Sequence, residues 1–236
     1  MWKAVLLAAG RGTRMKQLTD DRPKPMLLIG GKPMLEHVLD RLRAAGFTEA
    51  LIVTGYRGEM IEEHFRGYPM HLDYRVQTTL DGTGGAARMA RDFVGGDSFL
   101  LTFGDILVNA EDYAGIAARL ESDAQTEAVV GVKWVDDPWQ GAAVYEQGGI
   151  VRRMVEKPPQ GTSTTHWNSA GLYAFHASIF DELASIHKSP RGEYELPTAV
   201  EQLLARSARV RIHAIEGAWR DVGRPEDLPE AEKLIS

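Results

Sequence analysis

The sequence predicts an α/β fold built on a mostly parallel sheet with helices on both faces. Short apolar runs at Ala4–Ala9, Ala50–Thr54 and Phe99–Phe103 are bounded by glycine or polar residues, as buried strands are. Stretches with apolar residues at helical spacing lie between them. Strands that alternate with helices build a parallel sheet covered on both sides.

In chain order, Ala4–Ala9 is the first buried strand. Leu35, Val38, Leu39 and Leu42 then recur at helical spacing, and Gly46 supplies the stop. Ala50–Thr54 is the second strand, and Ile61 with Phe65 marks a short helix. Leu72, Tyr74 and Val76 alternate with polar neighbours, so His71–Gln77 is a half-exposed strand. Ala86, Met89 and Ala90 mark the next helix, Phe99–Phe103 the next strand, and Tyr113, Ile116, Ala117 and Leu120 another helix. The pattern then turns β-rich: Ala128–Lys133, Ala142–Tyr145, Ile150–Glu156 and Gly171–Phe175, with a turn at Gln147-Gly148-Gly149. Helices at Ile179–Ile186 and Leu196–Ala205, a strand at Val210–Ile215 and a helix at Pro225–Leu234 follow. No linker, repeat or low-complexity tract interrupts the chain. The expected architecture is one Rossmann-like domain over residues 1–236.

Composition narrows the function. The 236 residues carry 27 Lys and Arg against 33 Asp and Glu, a net charge of −6. That balance opposes a general nucleic-acid binder while allowing a local basic pocket. The absence of cysteine excludes a disulfide scaffold, a thiolate zinc site and a cysteine nucleophile. The seven histidines show no metal spacing, and no Gly-x-Ser-x-Gly elbow is present. No run approaches the ~20 apolar residues of a membrane span. A soluble, cytoplasmic protein is expected.

The first strand runs into Gly10-Arg11-Gly12-Thr13-Arg14. Ligands of open α/β sheets bind beyond the carboxyl ends of strands, where this loop lies. Glycines let backbone N–H groups approach phosphate oxygens, and Arg14 adds a forked cation. A dinucleotide fingerprint would need Gly or Ala in place of Met15, and a Walker A loop would need Gly-Lys-Ser/Thr. A plain strand-to-helix turn would need the glycines but not Thr13 or Arg14. In Pro23-Lys24-Pro25 the second proline favours an extended Lys24 on a stiff stem, and Glu156-Lys157-Pro158 repeats the device. Together they predict a cationic pocket for phosphates.

These segments resemble the sugar-1-phosphate nucleotidyltransferases, the nucleotide-sugar pyrophosphorylases. The likeness rests on Leu7-Ala8-Ala9-Gly10-Arg11-Gly12-Thr13-Arg14-Met15 with Pro23-Lys24-Pro25, then Gln77 with Gly82-Thr83-Gly84-Gly85-Ala86. It continues through Phe103-Gly104-Asp105, Glu156-Lys157-Pro158, Asn168-Ser169-Ala170-Gly171 and Trp219-Arg220-Asp221-Val222-Gly223-Arg224-Pro225. In order, these pieces cover nearly the whole chain.

The resemblance implies that a sugar 1-phosphate oxygen attacks the α-phosphorus of a nucleoside triphosphate and pyrophosphate leaves. It implies Mg²⁺ as cofactor, held by Asp105 and Asp221. Arg14 and Lys24 would be catalytic, Arg14 on the leaving pyrophosphate and Lys24 on the α-phosphate. Leu7, Ala9, Gly10, Gly12, Thr13, Gln77, Gly82 and Thr83 would bind the nucleotide. Gly141, Glu156, Lys157 and Asn168 would bind the sugar phosphate, in a β-rich sugar-side lobe. Residues 1–130 would then serve mainly the nucleotide and 131–236 mainly the sugar. UTP or dTTP is favoured as donor and a hexose 1-phosphate as acceptor. Guanylyl or cytidylyl transfer to mannose, heptose or choline phosphate is the alternative within the class. A non-catalytic nucleotide-sugar-binding regulatory subunit is the alternative outside it. The C-terminal left-handed β-helix of many relatives is not expected here, no membrane or nucleic-acid partner is implied, and a homo-oligomer is left open.

Overall fold

A computed structural model describes residues 2–235. In the first half, strands β1 (Lys3–Ala8), β4 (Glu49–Thr54) and β5 (His71–Val76) pair in parallel, and β6 (Phe99–Phe103) pairs with β1 in parallel. Between β1 and β4 lie a two-strand ribbon, β2 (Leu28–Ile29) and β3 (Lys32–Pro33), and helix α1 (Met34–Ala44). Helix α2 (Gly58–His64) joins β4 to β5; α3 (Thr83–Arg88) and α4 (Arg91–Val94) join β5 to β6. The helix expected around Ala86–Ala90 is thus two short ones.

The chain continues through β7 (Ile106–Val108), α5 (Ala110–Glu121), β8 (Thr126–Trp134), β9 (Ala142–Gln147), β10 (Ile150–Glu156) and β11 (Trp167–Phe175). Then come α6 (Ile179–Ser185), α7 (Leu196–Ala205), β12 (Arg209–Ala214), β13 (Trp219–Asp221) and α8 (Leu228–Glu232). The expected helix Pro225–Leu234 is reduced to a 3₁₀ turn, Pro225–Asp227, and the five residues of α8.

One nine-stranded sheet runs in the order β5-β4-β1-β6-β11-β8-β12-β10-β9. It is mixed, which corrects the mostly parallel expectation. Strand β11 enters antiparallel to both β6 and β8, and β10 is antiparallel to β9 and β12; only β8 and β12 are parallel in the second half. Apolar runs report burial but not strand direction. The β-rich half therefore continues the same sheet rather than forming a lobe of its own, with β9 curling back to touch β11 at Asn168.

Helices do cover both faces. Ala4, Leu6 and Ala8 of β1 face a core with α1 and α5, while Val5, Leu7 and the following Ala9 face one with α3, α6 and α7. The two-residue period of a strand divides one apolar run between two cores. This arrangement leaves the carboxyl ends of β1, β4 and β6 on one edge, with a loop after each. Among the described residues, no helix is long and apolar enough to cross a membrane.

Candidate active site

Beyond those strand ends lies a cavity of about 460 Å³. Leu7, Ala9, Gly10, Gly12, Thr13 and Arg14 line it at the end of β1, and Gln77, Gly82 and Thr83 line it as well. Lys24 and Asp105 lie on the same cavity, so every predicted nucleotide-side residue converges there. Arg11, Leu80, Phe103 and Glu193 also line it and were not anticipated.

The glycine loop is open to an anion. Among the described residues, the N–H groups of Gly10, Arg11 and Gly12 donate to no acceptor within the chain. The Gly12 carbonyl, by contrast, is taken by Met15 N–H at 2.8 Å and by the Thr19 hydroxyl at 3.2 Å. Gly12 has φ +68°, and a Cβ there would lie 2.8 Å from the Cβ of Lys24. Only glycine lets the loop and Lys24 pack this closely.

Lys24 is buried and opens the 3₁₀ turn Lys24–Met26. It is therefore not extended as the flanking prolines suggested. Pro25 fits the second position of a helical turn, where no N–H is needed, and the Met26 N–H bonds back to Pro23 O at 2.9 Å. The turn aims Lys24 Nζ at Asp105 Oδ2, 2.5 Å away. Lys157 is not extended either: its φ is +43°, and its side chain is half exposed at 51%.

Asp105 follows β6 and precedes β7. Strand β7 pairs antiparallel with β13, which sets Asp221 opposite Ile106. The Val222 N–H also donates to Asp105 O at 3.1 Å. This three-residue ribbon, invisible in the apolar pattern, brings the two carboxylates into one site. Asp221 keeps an exposed edge, yet surrounding protein and then the Asp105 charge push its pKa up to about 6. Lys24 and Arg14 act in the opposite direction. A Cβ added to Gly223 would lie 3.6 Å from the Arg14 guanidinium, which places Arg14 at the β13 end of the site.

Two crowded carboxylates that resist joint ionisation suit a divalent oxygen-ligated cation, since such a cation removes their repulsion. They fit Mg²⁺ through one or two carboxylates, leaving its other positions to waters and phosphate oxygens. Among the described residues, no group of three or more His, Asp or Glu offers a fuller cage.

Gln77 is buried, and its Nε2 donates to Asp81 Oδ1 at 2.9 Å and to Gly82 O at 3.2 Å. A flipped amide would set its oxygen against those two acceptors, so the orientation is fixed and Oε1 remains the free acceptor. Gly82 has φ +103°, and a Cβ there would lie 2.4 Å from Tyr194 O. Thr83 lines the cavity, but its hydroxyl accepts the Leu196 N–H at 3.0 Å.

The four predicted sugar-side residues form a second cluster, outside the walls of that cavity. Gly141 packs on the Asn168 carboxamide, and its carbonyl accepts the Lys157 N–H at 2.7 Å. Asn168 Nδ2 donates to Ser169 O at 2.7 Å, leaving its buried Oδ1 unpartnered. Glu156 pairs opposite Ala142 at the end of β10. Burial raises its pKa, opposed by Arg191 at 3.2 Å and Lys157 at 3.9 Å. Arg191 was missed because its role arises from contact with residues distant in sequence.

A glycine loop, Arg14, Lys24 and Asp105 line one strand-end cavity of an α/β sheet, with Asp221 joined to Asp105 just outside its walls, an arrangement suited to phosphate. The chain matches the nucleotidyl transferase family model over residues 3–236 and belongs to that family. It is 33% identical to the low-salt glycan biosynthesis nucleotidyltransferase Agl11 of Haloferax volcanii, over 99% of this chain and 66% of that one. To the bifunctional protein GlmU of Methanocaldococcus jannaschii it is 35% identical, over 98% of this chain and 54% of the relative. To the UTP–glucose-1-phosphate uridylyltransferase AglF of H. volcanii it is 34% identical, over 99% and 96% of the two chains. The chain thus spans between half and two thirds of two of these relatives and nearly all of the third. The solved structure of a UDP-glucose pyrophosphorylase with UDP-glucose shares its fold, with a TM-score of 0.90 at 22% identity over 100% and 98% of the chains.

Proposed function

We propose that this protein is a Mg²⁺-dependent sugar-1-phosphate nucleotidyltransferase, with UTP or dTTP as donor and a hexose 1-phosphate as acceptor. The observation that carries the reading is the convergence of the glycine loop, Lys24, Asp105 and Gln77 on one cavity, with Asp221 joined to Asp105 through β7 and β13. The alignment with AglF over 96% of that chain supports it. We also assign residues 1–236 to a single nucleotidyltransferase domain, 1–130 mainly for the nucleotide and 131–236 mainly for the sugar phosphate.

In the proposed reaction an oxygen of the sugar 1-phosphate forms a bond to the α-phosphorus. The bond from that phosphorus to the bridging oxygen breaks, and pyrophosphate carries the electron pair away. Such a transfer needs alignment and charge neutralisation more than covalent help. Gly10–Gly12 would receive the phosphates on free N–H groups. Lys24 would turn from Asp105 to the α-phosphate, and Arg14 would meet charge developing on the pyrophosphate. Asp105 and Asp221 would hold Mg²⁺, which neutralises phosphate charge when bound. Lys157 would meet the sugar phosphate, and Glu156 and Asn168 the sugar hydroxyls, with Gly141 offering its backbone.

Gln77 Oε1 is suited to accept N3–H of uracil or thymine. Cytosine presents a lone pair at that position and would leave both acceptors unsatisfied. The reading is tested by a matrix of the common nucleoside triphosphates against sugar 1-phosphates, scored by pyrophosphate release with Mg²⁺. Release with at least one pair, greatest with UTP or dTTP, is expected. A folded protein that binds nucleotide but releases no pyrophosphate with any pair would point to a regulatory subunit.

A further inference from the structure

Helix α5 packs against β12, and alternate residues of that strand, Arg209, Arg211 and His213, meet the helix or the turn that follows it. The two outer contacts are complementary. His213 Nε2 faces Asp112 Oδ1 at 3.4 Å, and a Cβ on Gly115 would lie 2.8 Å from the His213 ring. Arg209 Nη1 pairs with Asp123 Oδ2 at 3.0 Å. The middle contact breaks the pattern: Arg211 stands beside a second arginine, Arg119.

Neither of these arginines has an acid. Arg119 Nε is buried without a hydrogen-bond partner, and among the described residues no bond or ion pair holds the rest of its guanidinium. Arg211 Nη1 donates to the Ser122 hydroxyl at 3.3 Å, a neutral acceptor. Burial and then the Arg211 charge hold the pKa of Arg119 below its ordinary value. The carboxylates nearby are engaged. Asp123, which also feels Arg211, takes the Gln125 N–H at 3.0 Å and the Thr126 hydroxyl at 3.1 Å besides Arg209. Glu146 accepts the Gly149 N–H at 2.7 Å, and Glu121 accepts Trp2 Nε1 at 2.6 Å. A cation in the last turn of α5 suits that end of the helix, which accounts for Arg119 alone but not for a second cation facing it. Like charges brought together at a partly buried place disfavour each other unless an anion lies between them.

Gly149 marks the place from a third element. A Cβ there would lie 3.6 Å from Arg119 Nη2. Its carbonyl accepts the Ile212 N–H at 3.0 Å, and the next residue, Ile150, pairs opposite Arg211. None of these residues lines the strand-end cavity. Arg119 stands about 15 Å along α5 from the start of the helix, at the ordinary helical rise.

We propose that Arg119 and Arg211 form a second anion site, for a phosphate group, between the last turn of α5 and the start of β12. Two planar forks from separate elements suit a tetrahedral dianion, which has oxygens enough for both; a carboxylate has two and fills one fork. The phosphate would give Arg119 Nε the acceptor it lacks and neutralise the pair. The site is independent of the reaction proposed above.

The test is calorimetric titration of inorganic phosphate into the whole protein without Mg²⁺ or nucleotide. Anomalous scattering from tungstate, a tetrahedral stand-in, then places the ion in crystals. Wild type is expected to show a binding component that Arg119→Gln and Arg211→Gln each weaken about tenfold or more and that Lys24→Met leaves unchanged. Tungstate should lie between the two guanidinium groups. Two variants on separate elements keep the test decisive if one of them does not fold. Glycerol 3-phosphate is the second probe. Binding of both supports a site open to phosphomonoesters, and binding of inorganic phosphate alone supports one for the free ion. No phosphate component in wild type, or one kept at full affinity in a folded arginine variant, overturns the proposal. So does a component that only Lys24→Met removes, or tungstate found at the glycine loop or a lattice contact alone, which marks an adventitious ion only.

Discussion

Two groups facing the cavity, Lys24 and Gln77, are each held by a side chain from residues 1–130, whereas in the proposed sugar cluster the groups are held by backbone or by the segment that carries Arg191. Lys24 is buried against Gly12 and paired with Asp105 at 2.5 Å, and Gln77 is pinned by Asp81 and Gly82. Lys157, by contrast, is half exposed, Asn168 is turned onto the neighbouring carbonyl of Ser169, and Glu156 leans on Arg191. Groups locked by their own surroundings discriminate, because a wrong ligand cannot make them adjust. Groups with free or borrowed support can adapt. On the proposed assignment, the contrast predicts a site that fixes the donor more tightly than the acceptor.

The largest effect that would break the comparison lies at Asp105. Asp105→Asn removes the partner of Lys24 and, on the proposed assignment, a charged ligand for Mg²⁺. Pyrophosphate release should fall by about 10²–10³ or more, with a near-wild-type thermal melt. Wild-type turnover in the folded variant would dissolve the prearranged nucleotide half. Next, Arg14→Ala should lower kcat by about 10²-fold while glucose 1-phosphate binding changes little, because its contact grows as charge moves to pyrophosphate. A rise in triphosphate KM alone would make Arg14 a ground-state binder.

Lys24→Met sharpens the comparison without relying on turnover. The Lys24 ammonium occupies Asp105 in the absence of ligand, so its removal should let Mn²⁺ bind the nucleotide-free protein about tenfold more tightly. Unchanged Mn²⁺ affinity by calorimetry would show that Lys24 does not compete for the carboxylate. The smallest effect is thermal. Asp221 has a pKa near 6 in the folded protein against an ordinary value of 3.8. As pH rises from about 4 to 6, the unfolded chain ionises this group more readily, so the native state loses stability across that window. Asp221→Asn avoids the loss. Without metal, its Tm should match wild type below pH 4 and exceed it by a few degrees from pH 6 upward. A gap that closes with rising pH would contradict the crowding of the two carboxylates.

The nucleotide side was legible because its parts are local: a strand, a glycine loop and a lysine turn within 26 residues of the start. Gln77 and Asp105 were legible as strand-end polar residues, since β5 and β6 announce themselves by period and apolarity. The conformation of Lys24 was not, because proline restricts its predecessor without forbidding a 3₁₀ turn that packing favours. Strand direction in the second half was not either, since apolar runs look alike whether parallel or antiparallel. Strands β7 and β13, three residues each, carry too short a pattern to read, yet they join the two aspartates. Arg191 meets Glu156 across 35 positions, a contact that exists only once the sheet is assembled.

The most direct test of a donor site fixed in advance is the ratio of kcat/KM for UTP over CTP, with glucose 1-phosphate, in wild type and Gln77→Ala. A buried polar group left unpaired costs ~1–3 kcal/mol, which corresponds to about a ten- to hundredfold preference. The pinned amide predicts that preference for UTP in wild type, with dTTP on the same side, and its collapse to within a few-fold in the variant. Equal use of UTP and CTP by wild type, or a preference for CTP, would contradict it.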